Sequence, residues 1–156
     1  MKLLIKQRVF SWSDTYDIYD EQETPRYFVK AEIFSLGHQI HVFDARGREA
    51  AVIRQRFLTL LPAFDIEVGG RVIGSIEKEF ALLCPKYQVN YNGWQVEGDI
   101  LGWEYNVLLD GRFVAHISKE PFHWGDTYIV DITNPEDELQ AILLVIAIDA
   151  ANCTDG

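Results

Sequence analysis

"LQAILLVIAIDAA", from Leu139 to Ala151, is apolar on nearly every side of any helix it forms, and what surrounds it decides the fold. Its uninterrupted apolar run, Ala141 to Ile148, spans about 12 Å as a helix, against about 30 Å of membrane hydrocarbon. Acids flank it (Glu136, Asp137 and Glu138 before, Asp149 and Asp155 after), with no Lys or Arg to anchor it at a headgroup layer. A spanning helix is therefore not expected. The start is well marked: Asn134 can cap it, Pro135 suits the first helical position, and the three acids favour the positive end of the helix dipole. A helix apolar all round has to be enclosed by other elements.

The rest of the chain offers strands to enclose it. Hairpin signals recur at "LGH" (36–38), "ARGR" (45–48), "GG" (69–70), "NYNG" (90–93) and "DG" (110–111). Between them apolar and polar residues alternate. Trp103, Tyr105, Val107 and Leu109 fall on one face with Glu104 and Asn106 on the other, and Phe113, Ala115 and Ile117 resume after the turn. The pattern predicts strands near 3–10, 15–20, 27–34, 38–44, 49–57, 64–68, 71–77, 86–91, 94–100, 103–109, 112–119 and 127–132. About a dozen strands this closely spaced imply a mainly β fold: a meandering antiparallel sheet closed into a barrel. The C-terminal helix is the element apolar enough to fill it. The length of 156 residues fits one domain, 1–156.

A doubled motif tests whether any of this is chemistry. "FSWSDTY" (10–16) resembles a small active site, yet "FHWGDTY" (122–128) nearly repeats it, with His123 in place of Ser11 and Gly125 in place of Ser13. Two further segments share the skeleton, "IRQRFLTLLPAFDI" (53–66) and "IEKEFALLCPKYQV" (76–89). Each unit runs Ile, a polar triplet, Phe (Phe10, Phe57, Phe80, Phe122), an aromatic (Tyr16, Phe64, Tyr87, Tyr128), then a β-branched residue (Ile18, Ile66, Val89, Val130). A catalytic constellation converges once on one reacting atom, whereas four copies along a sheet describe a strand, a corner and the next strand. Asp14 and Asp126 beside threonines suit turns. Trp12 and Trp124 are then expected at equivalent corners.

Composition narrows function by exclusion. A formal charge of −10, from 14 basic and 24 acidic residues, makes nucleic acid a poor partner and disfavours anionic membranes. Cys84 and Cys153 lack the numbers of a disulfide framework and the spacing of a metal site, so free thiols and a cytoplasmic location are expected. "MKLLIKQRVF" (1–10) has charges within its apolar stretch, unlike a secretory signal. His38 and His41 point to opposite faces of a strand and cannot share a metal, and His116 and His123 lack a third ligand. No phosphate loop, nucleophile elbow, zinc-protease helix or dinucleotide fingerprint is present. Asp149 could have a raised pKa inside the barrel, but a wetted place at its mouth is the simpler expectation. No catalytic residue, cofactor or metal is assigned.

In order along the chain, "IKQRVFSWSDTYDIYDE", "EIFSLGHQIHVFD", "WQVEGD" and "ISKEPFHWGDTYIVDI", followed by the apolar helix, resemble bacterial members of the LURP-one-related family. That family belongs to the tubby C-terminal-like superfamily, with the phospholipid scramblases. The resemblance implies a closed antiparallel barrel of about twelve strands around a central hydrophobic helix, and implies no activity. Three function classes stay in play, the first favoured because a barrel filled by its own helix leaves no internal ligand cavity. The first is a non-enzymatic binding or adaptor domain, meeting a protein or small ligand through the outer barrel surface and loops. The second is a lipid- or membrane-associated protein in the manner of tubby domains and scramblases; the third is an enzyme with an unrecognised site. Tubby domains hold phosphoinositide headgroups with basic side chains. The nearest equivalent here is the hairpin "ARGREAAVIRQR", in which Arg46, Arg48, Arg54 and Arg56 are candidates for anion or lipid-headgroup contact, and Arg54 and Arg56 share a face. An ordinary solvated outer sheet face accounts for the same residues. "DITNPEDE" (131–138) stands where scramblases carry an acidic calcium segment, but lacks the ligand spacing and turn glycine of an EF-hand loop, and helix capping explains it.

Overall fold

A computed structural model describes residues 1–7, 15–34, 37–83, 86–122 and 125–153. Among these residues, twelve strands and a C-terminal helix follow one another along the chain. The first six are β1 (Lys2–Gln7), β2 (Thr15–Asp20), β3 (Pro25–Phe34), β4 (Gly37–Asp44), β5 (Glu49–Gln55) and β6 (Ala63–Val68). The next six are β7 (Arg71–Glu79), β8 (Lys86–Tyr91), β9 (Gln95–Asp99), β10 (Glu104–Leu109), β11 (Arg112–Phe122) and β12 (Gly125–Ile132), and the helix is α1 (Glu138–Cys153). All twelve strands form one antiparallel sheet in the order β8-β7-β6-β5-β4-β3-β2-β1-β12-β11-β10-β9. The sheet curls around α1 as a nearly closed barrel. The chain's first and last strands pair in its middle, from Lys2 opposite Asp131 to Gln7 opposite Asp126. That joint is extended by Ile132 N–H donating to Met1 O at 2.7 Å and the Met1 amine donating to Ile132 O at 3.1 Å.

The four sequence units are hairpins, and the register shows why they repeat. Ile5 lies opposite Ile18, Ile53 opposite Ile66, Ile76 opposite Val89 and Ile117 opposite Val130. Each unit thus places one β-branched pair, side by side, facing the lumen, the arrangement that stabilises antiparallel sheets. All of these residues are buried except Val89, which is half-buried. Trp12, Trp124 and Asp14, where equivalent corners are expected, lie outside the described residues, as does the side chain of Asp126.

Four strand pairs among the described residues shift register, and one of these shifts overturns an expected alternation. The ladder between β10 and β11 shifts register between Val107 and Leu108. Such a bulge turns the following side chains over. Leu108 and Val114 are consequently buried, whereas Leu109 and Phe113, expected on the inner face, are exposed.

The helix fills the lumen. A single 3-10 turn, Pro135–Asp137, leads into it, with Asn134 Oδ1 accepting from Glu136 N–H at 3.2 Å as the sequence predicts. Arg26, in the β2–β3 hairpin, clamps Glu138 with two bonds of 2.9 and 2.7 Å, fixing where α1 enters the barrel. From Ala141 to Ala151 every side chain is buried, and the most exposed, Asp149, reaches only 7%. Each large side chain there removes enough apolar surface from water to contribute roughly 1.5–3 kcal/mol. Among the described residues no helix is long and apolar enough to cross a membrane.

Candidate binding site

The four arginines of the β4–β5 hairpin do not form one patch. Arg46 and Arg48 sit at its turn, where their backbone N–H groups donate to Asp44 Oδ1 and the Arg48 guanidinium bonds the other Asp44 oxygen at 3.2 Å. Those backbone bonds hold the Asp44 carboxyl below its usual pKa. Arg54 and Arg56 lie at the far end of β5, on the outer face. Arg54 bonds Glu67 on β6, and Arg56 bonds Asp65 on β6 and Glu77 on β7. Three of the four are therefore matched with carboxylates. Sequence alone could not locate those acids, because they arrive from neighbouring strands once the register is set.

The histidines divide as expected. His41 points outward between Glu32 and Glu49, while His38 belongs to the other face, its backbone N–H held by Gln55. His116 reaches Asn106 and Glu104 on the outer surface. His123 lies outside the described residues. Among those described, no group of three or more His, Cys, Asp or Glu residues could hold a metal ion.

Asp149 departs from expectation. It is enclosed rather than wetted at the barrel mouth, and burial pushes its carboxyl up to about 7. Nearby, Tyr105 is buried with no hydrogen-bond partner for its hydroxyl among the described residues. Burial raises the Tyr105 pKa, and the Asp149 and Tyr87 groups raise it further. Asp149 and Tyr105 thus bring two polar groups together in the buried interior. The position of Asp149 at the end of an apolar run, which suggested a helix end in water, carries no signal of this.

The most distinctive geometry lies where the sheet ends. β8 and β9 are joined by the turn Asn92–Gly93, both residues in the left-handed region at φ 55° and 68°, and Trp94 N–H donates to Tyr91 O at 2.9 Å. This is the start of the tightest kind of hairpin. Yet beyond it no ladder joins β8 to β9 among the described residues. A cleft of about 550 Å³ opens instead, lined by Glu79, Lys86, Tyr87, Val89, Trp94 and Val96 among others. Its base is firm. Tyr91 donates to Gln140 O at 3.0 Å and meets the Gln140 side chain, which also accepts from Asn92 at 3.2 Å, and Trp94 packs edge-on against Tyr91 with ring centres 5.5 Å apart. The side chains that should face the lumen here, Tyr87, Val89 and Val96, are only half-buried.

Beside the cleft, one rim of the barrel is apolar. Phe57, Leu58 and Leu60 follow β5, and Phe80, Leu82 and Leu83 follow β7; all are between 61% and 97% exposed. Both loops lie at the same end of the meander, and Lys78 N–H donating to Pro62 O at 2.9 Å brings them together. A second cavity, about 480 Å³, lies on the outer face against Tyr27, Phe28, Phe43 and Asp44.

Comparison with known proteins places this architecture. Residues 1–149 match the LURP-one-related family. The chain is 32% identical over 150 residues to the uncharacterized protein YxjI of Bacillus subtilis strain 168, covering 96% of this chain and 92% of that one. The X-ray structure of a protein from Arabidopsis thaliana is similar to it with a TM-score of 0.65 at 16% identity, covering 97% of this chain and 90% of that chain.

Proposed function

The chain belongs to the LURP-one-related family, and from that premise we propose that it is a non-enzymatic binding or adaptor domain working through its outer surface and loops. One observation carries this reading. The lumen, where a barrel of similar strand number would hold a ligand, is occupied by the chain's own helix, buried from Ala141 to Ala151. Recognition then falls to the outside, where the cleft between β8 and β9 and the apolar rim stand open. The test is a photo-crosslinking residue placed singly at Leu83, Gln95 or, as a control on the far rim, Phe113. The domain reading expects discrete protein or ligand adducts from the first two positions and none from the third. Uniform labelling from all three, or turnover of a substrate pool by the purified protein, would contradict it.

A second reading, association with a lipid surface, is favoured by the rim. Six large apolar side chains stand exposed there on two adjacent loops. With a charge of −10 and Arg48, Arg54 and Arg56 matched by acids, the contact would be apolar and not a headgroup pocket. Flotation with neutral phosphatidylcholine vesicles, lost in Leu60→Glu/Leu83→Glu, supports this reading. Binding that depends on anionic lipid and on Arg54 or Arg56 would replace it with the headgroup mechanism, and no flotation on either vesicle removes it.

A further inference from the structure

We propose that the cleft between β8 and β9 is a docking slot for an extended peptide segment whose residues alternate apolar with polar or basic. This rests on the binding-domain reading and names its partner chemistry. The bond from Trp94 N–H to Tyr91 O fixes which backbone groups face the cleft. Because strand groups alternate with period two, Val89 on β8 and Val96 on β9 direct their N–H and C=O groups towards it. Each of the two strands has a ladder on one side only. The chemistry that satisfies a row of such donors and acceptors is another extended backbone.

The side chains specify the guest further. Val89 and Val96 are half-buried, while the lumen-facing residues Ile53, Ile66 and Ile76 on the neighbouring strands are fully buried. Apolar guest residues at alternate positions would cover them. Glu79 and Glu97 line the cleft and Asp99 ends β9, against one Lys86. That acidic excess selects basic residues at the intervening positions. It also disfavours a second copy of this chain, whose own β9 edge would bring Glu97 and Asp99 against like charges. An acyl chain fits poorly, since it leaves the edge backbone groups without partners. Five residues, the length of β9, correspond to about 17 Å of extended guest.

The experiment pans a phage-displayed library of random dodecapeptides against the whole protein, then maps the enriched peptides by amide hydrogen exchange. Expected are peptides alternating apolar and basic residues that slow exchange at Val89 and Val96 at least tenfold. Methylating alternate backbone nitrogens of such a peptide should weaken binding at least tenfold. Gln88→Cys/Glu97→Cys, which a disulfide locks shut in the register the Asn92–Gly93 turn sets, should abolish binding while its melting temperature shows that it folds. Enriched peptides that shield another surface, or that bind the locked variant equally, overturn the slot and leave the binding-domain reading standing. Failure to enrich any peptide overturns it too. So does slow exchange at Val89 and Val96 without peptide, because the strands would then be zipped.

Discussion

The barrel has two joints, and they invert what sequence distance suggests. β1 and β12 come from opposite ends of the chain and pair over six positions without interruption. β8 and β9 are neighbours joined by the strongest hairpin signal in the sequence, yet they part after the turn. The difference lies in what each joint buries. At the first, Leu3, Ile5, Val130 and Ile132 alternate cleanly and lose all but 2% or less of their exposure against α1. At the second, β9 is Gln-Val-Glu-Gly-Asp, with one apolar residue and two poor strand formers. Gly98 is drawn so close to β10 that a Cβ there would lie 2.7 Å from Glu104 O. Tyr91, Trp94 and Tyr105 already fill the lumen behind it. A turn can start a hairpin, but burial along the strands has to complete it.

The largest expected effect tests the element both joints wrap. Ile146→Asp should prevent folding, because an unpaired charge in a dry core has no compensating partner. Deleting 139–156 should leave an aggregating chain. A truncated protein with cooperative, soluble β-structure by circular dichroism would show that α1 is dispensable and remove the basis for comparing the joints.

Next comes a direct contrast between them. Ile5→Ala at the closed joint should cost about 2–5 kcal/mol in denaturant unfolding, as buried Ile-to-Ala changes do. Val96→Ala at the open one should cost about 1 kcal/mol, in keeping with its partial burial. Equal losses would mean the two joints are sealed alike.

The buried Asp149 carboxyl, coupled to Tyr105 and so to the β8 side, sharpens the contrast through pH. The Asp149 carboxyl is raised from 3.8 to about 7 by burial, so the folded state holds its proton more tightly than the unfolded chain. Its contribution is fully present below 3.8 and is lost as pH rises through about 7. Asp149→Asn should therefore raise the melting temperature at pH 8 relative to the parent, with the gain shrinking towards pH 5. A gain independent of pH would place that carboxylate in water.

The smallest effects belong to the arginine hairpin on the outer face. Arg54→Ala and Arg56→Ala should each cost about 1 kcal/mol or less, the ordinary value of exposed ion pairs, and Arg46→Ala nothing measurable. Salt titration of the unfolding midpoint checks this, since such pairs weaken as screening rises.

Much of the fold was legible because it rests on local regularities. The paired β-branched residues of the four units, the cap at Asn134 and the all-apolar run of α1 each follow from spacing and side-chain type. Three features were not legible, each for a geometric reason. The bulge at Val107 and Leu108 reverses faces without any glycine or proline to mark it. Asp149 is buried by strands that meet it only in three dimensions. The cleft was hidden by its own turn, since "NYNG" reads as a closed hairpin whether or not the strands beyond it pair. The candidate site thus lies where a correct local signal fails to extend.

Native-state amide hydrogen exchange reads the two joints side by side. Amides of Leu3, Ile5, Val130 and Ile132 should exchange only through global unfolding, whereas Val89 and Val96 should exchange at least tenfold faster through their open edge. Equal protection across both joints, with the Val89 and Val96 amides as slow as those of Ile5 and Val130, would contradict that contrast.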